Sequence, residues 1–242
     1  MNYRPRSIRN RFMVPQPDRG FTLIEVLVVI AIISVLLTAG AIGLGNLSAG
    51  KGTSTAIATT ESLFEEARTI AVSKRSRTRV MIDIDDPSDD NYLRRVVIIH
   101  KDLTAPGEFE ADGTTLKEKP WILAGRGYVM PKGTYFSRDY SRRVDATESK
   151  VDIEEFDLTG SNVSSDYEGN YAFYEFNGEG IFLNPGSSFI IGAGIRPKGQ
   201  SEPKVTKSAE NDFSGFVIWR NGRTSTYRSP KQMGIPSEPT FF

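Results

Sequence analysis

The chain of 242 residues has no cysteine and a single histidine. The first absence excludes a disulfide framework and thiolate metal sites, so any part outside the cytoplasm is held by packing and backbone hydrogen bonds alone. The second removes the histidine clusters used for zinc or for paired-histidine chemistry. There is also no G-x-S-x-G, P-loop, H-E-x-x-H or C-x-x-C, and Gly43-x-Gly45 and Gly192-x-Gly194 fall short of the dinucleotide fingerprint. His100 closes an apolar strand with no orienting motif beside it, the setting of a packed or edge residue. The expectation is a protein that is not an enzyme.

Net charge is absent as well, with 30 basic against 30 acidic side chains. That zero conceals a segregation. Residues 1 to 20 carry Arg4, Arg6, Arg9, Arg11 and Arg19 against Asp18, a net of +4, which leaves the remainder at −4. No ionisable residue lies between Glu25 and Lys51, and Val26 to Ile33 reads VLVVIAII. As a helix, 25 such residues span about 37 Å against a hydrocarbon core of roughly 30 Å. Arginines ahead of the run place residues 1 to 20 in the cytoplasm and everything after about residue 50 across the membrane.

A secretory signal peptide has a shorter apolar core and a small-residue cleavage site, which Leu47-Ser48-Ala49-Gly50 could imitate. A plain anchor explains the hydrophobicity but not Glu25, because a carboxylate in lipid costs about 2 to 3 kcal/mol at mid-bilayer. The string Arg19-Gly20-Phe21-Thr22-Leu23-Ile24-Glu25-Val26-Leu27-Val28-Val29-Ile30-Ala31-Ile32-Ile33 resembles the type III signal of type IV pilins and type II secretion pseudopilins.

That resemblance implies cleavage after Gly20 by a prepilin peptidase, N-methylation of Phe21 from S-adenosylmethionine, and retention of the helix. It also makes Glu25, fifth in the cut chain, the residue that pairs with the terminal amine of a neighbouring subunit during assembly. Opposite charges attract strongly at low dielectric, so an acid costly alone in lipid becomes a register device when paired. The implied partners are the peptidase, other pilin or pseudopilin subunits, an inner-membrane assembly platform and membrane lipid. The leader has 20 residues from Met1, or reads MVPQPDRG from Met13.

No proline lies between Pro17 and Pro87, which permits a helix from about Thr22 to about Arg75. Gly40, Gly43, Gly45, Gly50 and Gly52 each cost about 1 kcal/mol relative to alanine and predict a local break or bend; close helix packing through small residues is the other reading. Beyond them Ile57, Leu63, Phe64, Ala67, Ile70 and Ala71 recur at helical spacing. The period then falls to two over Val80, Ile82 and Ile84, and the 85 to 91 turn leads to a second strand from Tyr92 to His100. Further strands are predicted at 121–124, 128–130, 134–136, 171–176, 180–183, 188–191, 216–220 and 223–228, the last two joined by a type I′ turn at Asn221-Gly222.

The fold expected is α+β, a long N-terminal helix packed on an antiparallel sheet. Its parts are a cleaved leader (1–20), a membrane and filament-core half-helix (21–50), an amphipathic half-helix (51–77) and a β-rich periplasmic head (78–242). Leu63 to Lys74 leading into Arg77 to Ile82, together with Tyr174 to Gly180 and the Asn221-Gly222-Arg223 hairpin, is similar to the H-type minor pseudopilin.

Two acidic segments stand out, Val144 to Asn170 and the cluster Asp83, Asp85, Asp86, Asp89 and Asp90. Closely spaced carboxylates can bind calcium, but the cluster lacks the glycine and terminal glutamate of an EF-hand. A solvated loop and a plain turn are the more economical readings, so no cofactor is expected. Arg75, Arg77, Arg79, Arg94 and Arg95 gather around the first hairpin among aspartates, and no nucleic acid is expected as a partner. The competing class is a membrane-anchored binding or enzyme domain outside any filament.

Overall fold

The computed structural model describes residues 23–110, 112, 114–144, 149–159, 163–207 and 209–242, with the side chains of 35–51 and 144 left aside. It divides into two compact units, Met1–Leu44 and Gly45–Phe242. Helix α1 (Leu23–Lys74) runs through the boundary. The break expected at the glycines is absent from its backbone. Glycine lowers helix propensity without forbidding the helix, and there is no proline to remove a hydrogen bond.

The second unit contains twelve strands. In chain order they are β1 (Thr78–Asp83), β2 (Arg95–Lys101), β3 (Trp121–Leu123), β4 (Tyr128–Val129), β5 (Thr134–Phe136), β6 (Arg143–Val144), β7 (Lys150–Val151), β8 (Glu155–Asp157), β9 (Asn170–Phe176), β10 (Ser188–Ala193), β11 (Phe213–Ile218) and β12 (Thr224–Thr226). One sheet has the order β3-β2-β1-β9-β8, with β4 also on β2; a second has the order β12-β11-β10-β5; β6 and β7 pair alone. Every strand pairing is antiparallel. The architecture is therefore α+β, as expected, with two main sheets rather than one.

Helix residues 52–74 explain why two sheets suffice. Ile57, Phe64, Ala67 and Ala71 are buried, and Leu63 and Ile70 are half-buried against the same cluster. That cluster takes Val80, Val96 and Tyr174 from the first sheet and Phe189 and Phe216 from the second. Phe64 is at its centre, edge-on to Tyr174 (5.2 Å), Phe176 (6.3 Å), Phe189 (5.7 Å) and Phe216 (5.1 Å) between ring centroids. Each such pair contributes about 0.5 to 1.5 kcal/mol beyond its burial.

Polar contacts fix the rotation of the helix. Thr224 and Thr226 hydroxyls donate to Glu61 Oε1 at 2.8 and 3.3 Å, and the Thr53 hydroxyl donates to Asp212. The helix stops at a left-handed Arg75 (φ 51°), with Ser76 N–H reaching Ala71 O at 3.1 Å. This is the Schellman closure, with arginine in the place usually held by glycine.

Local expectations fared unevenly. The second strand of the first hairpin starts at Arg95, because Tyr92 to Arg94 are still turn, with Leu93 left-handed at φ 59°. Residues 180–183 form only a bridge, Phe176 to Phe182. At Asn221-Gly222 only Gly222 has positive φ, and its N–H bonds Trp219 O at 2.8 Å while Trp219 N–H bonds Arg223 O at 2.9 Å. The loop has three residues, with Gly222 at its left-handed last position, so the type I′ expectation is replaced by a longer, bulged turn.

Replacing Phe64 by alanine should cost about 3 to 5 kcal/mol, since a ring enclosed by both sheets cannot be refilled by collapse. Val72→Ala, on the same helix but 50% exposed, should stay within about 0.5 kcal/mol. Urea unfolding of the full chain in detergent checks both, and equal losses would contradict the packing described.

Candidate functional site

The processing pair Gly20 and Phe21 lies outside the described residues. Glu25 lies in the first turn of α1, where a carboxylate suits the positive end of the helix. Residues 23–34 are all exposed, including every apolar side chain from Leu23 to Ile33. A helix apolar on all sides finds its burial in lipid or among other helices. Among the described residues no helix is long and apolar enough to cross a membrane. The described side chains of the uncharged run end at Ser34 and resume at Gly52. A membrane span over 21–50 thus stands on the sequence alone.

The aspartates weighed for calcium are engaged elsewhere or held apart. Asp83 is buried, 3.6 Å from Arg95 Nη1, and accepts the Asp85 N–H at 3.2 Å. Asp89 is 3.3 Å from Arg95 Nη2. Asp86 accepts from the Ser88 hydroxyl and N–H at 2.6 to 2.7 Å, which holds its carboxyl below the usual range. Asp85 accepts from Asn170 N–H at 3.2 Å, and Asp90 is exposed. Among the described residues no group of three or more histidine, aspartate or glutamate side chains could hold a metal ion.

The acidic segment after Val144 is also neutralised in part, and this the sequence did not suggest. Arg138 pairs with Glu155 at 2.6 Å, Arg142 with Asp152 at 2.7 Å and Arg143 with Glu154 at 2.9 Å. These arginines come from the stretch just ahead of the segment, so a local fold-back of the chain brings them together.

Another arrangement outside the sequence reading is the outer face of the first sheet. Arg79 and Glu175 are directly opposed on β1 and β9, with Nε to Oε2 at 2.6 Å; Arg77 also reaches Glu175. The Arg79 guanidinium lies 4.4 Å from the Trp121 centroid, 4.4 Å from Phe156 and 4.0 Å from Phe173. Burial pulls Arg79 below its ordinary pKa, and the Glu175 hydrogen bond opposes that shift. Stacked aromatic faces and a bonded carboxylate keep a buried cation tolerable. Alternation along β1 could have placed Arg79 on this face, but Phe156 comes from the unforeseen strand β8. His100 is buried, Nδ1 3.2 Å from Lys101 O, in agreement with a packed residue.

These features describe an assembly-type signal helix joined to a head that shows no constellation of reactive side chains among its described residues. Residues 16–41 match the family model described as the prokaryotic N-terminal methylation motif. The chain carries a type IV pilin or pseudopilin prepilin signal, which implies processing by a prepilin peptidase and assembly with other pilin subunits. No curated protein and no solved structure matches the chain.

Asp83 gives a pH test of the buried-turn reading. Desolvation raises its folded pKa above the ordinary value, partly offset by the Asp85 N–H and by Arg95. Its contribution to stability is therefore full below the ordinary aspartate pKa and is lost as pH rises through the folded value. Asp83→Asn keeps a neutral side chain throughout, so its stability relative to wild type should rise between about pH 3 and pH 7. A relative stability that falls over that window in urea unfolding would contradict the assignment.

Proposed function

We propose that the chain is a structural subunit, and a minor one, of a type II secretion pseudopilus or a type IV pilus. The observation that carries this reading is the methylation motif at residues 16–41, laid on a helix whose apolar side chains from Leu23 to Ile33 are exposed. Prepilin peptidase cuts after Gly20 on the cytoplasmic side and Phe21 becomes the methylated terminus. The uncharged run then holds the subunit in the inner membrane with the head in the periplasm, until it moves into the filament.

Glu25 is the assembly residue. Within the apolar run its carboxylate gains most by meeting the terminal amine of a neighbouring subunit, because the attraction grows as water is excluded. The head is non-enzymatic and works mechanically, presenting its surface to neighbouring subunits or to secretion partners. Interruptions at 102–120, 141–170 and 197–212 enlarge it beyond a minimal helix-and-sheet head, which favours a specialised minor subunit over a bulk one.

Glu25→Ala should leave cleavage and methylation intact while incorporation into filaments fails, measured by shearing and co-purification with the other subunits. Normal incorporation of the variant would remove the role assigned to Glu25. A processed wild-type chain never found with other subunits would instead favour a tethered domain outside any filament.

A further inference from the structure

The two main sheets have facing free edges at β8 and β5, and a cavity of about 280 Å³ lies beside them. Its floor is apolar and fully inside the fold, formed by Tyr92, Leu93, Phe136 and Phe242. Its rim is charged but unequally so. Arg138 and Arg142 are both taken, by Glu155 at 2.6 Å and Asp152 at 2.7 Å. Asp139 and Glu202, also on the rim, make no ion pair and no side-chain hydrogen bond among the described residues. Lys150 lines the adjoining cavity and not this one.

The rim therefore carries two uncompensated negative charges above an aromatic and aliphatic floor. An anionic ligand finds its cations already occupied. A bare metal ion gains nothing from the apolar floor, and the described residues offer no metal-holding group. A long amphipathic cation fits both features, since lysine and arginine lay apolar stems along apolar surface and keep the charged end at the polar rim. Phe136 and Tyr92 add ring faces and edges that favour a cation over a neutral head.

We propose that this cavity receives a lysine or arginine side chain of a partner protein, its stem on the Phe136 and Phe242 floor and its charge between Asp139 and Glu202. The site gives the head a specific contact by charge complementarity, independent of whether the chain enters a filament. Its failure would leave the filament reading untouched, and the reverse also holds.

The test uses the full chain in detergent micelles, titrated by NMR with capped Gly-Lys-Gly and Gly-Arg-Gly, with capped Gly-Glu-Gly and with calcium chloride alone. The basic peptides should bind roughly tenfold or more tightly than the glutamate peptide. Asp139→Asn combined with Glu202→Gln should weaken them by roughly tenfold or more at an unchanged unfolding midpoint. Equal binding of the glutamate peptide, undiminished binding to the double variant, or calcium occupying the carboxylates and excluding the basic peptides would each overturn the proposal.

Discussion

Phe64 is the contact on which the head depends. The two sheets share no ladder with one another among the described strands, and a helix side chain supplies the ring that touches both. Four aromatic neighbours, two from β9 and one each from β10 and β11, meet it within 6.3 Å. A sheet with one uncovered apolar face is unstable in water, and both sheets here turn that face to the same helix. The alanines at 67 and 71 matter for the same reason, since small side chains let the strands approach the helix closely.

Burial contrasts along α1. From Gly52 onward its apolar side chains are spent on the head core, and polar ties through Thr53 and Glu61 lock it there. From Leu23 to Ile33 the apolar side chains are exposed. One helix therefore carries two different tasks, anchoring a folded domain and offering a surface for lipid or for neighbouring helices. The glycines from Gly40 to Gly45 stand where the two compact units divide.

Much of this was legible in the residues. The charge-free run, Glu25 and the Gly20-Phe21 junction specified the signal, and the three and four residue spacing from Ile57 to Ala71 specified the buried stripe. Period-two runs found β1, β2, β9 and β10, where β-branched and aromatic residues face packed neighbours. Short edge strands were missed, β8 above all, because Glu155-Phe156-Asp157 has a single apolar residue and owes its extended form to β9. The split into two sheets was equally hidden, since long-range pairing leaves no local mark. Asn221-Gly222 misled for a related reason: the dipeptide favours a tight turn, yet the register of Ile218 against Thr224 leaves room for a three-residue loop.

The central claim is that residues 1 to 20 are a removable signal on a filament-forming helix. Intact mass and N-terminal fragmentation after co-expression with a prepilin peptidase test it most directly. The account predicts a chain that begins at Phe21 and carries one added methyl group on its terminal nitrogen. A chain that keeps Arg19 and Gly20 with an unmodified amine would contradict it.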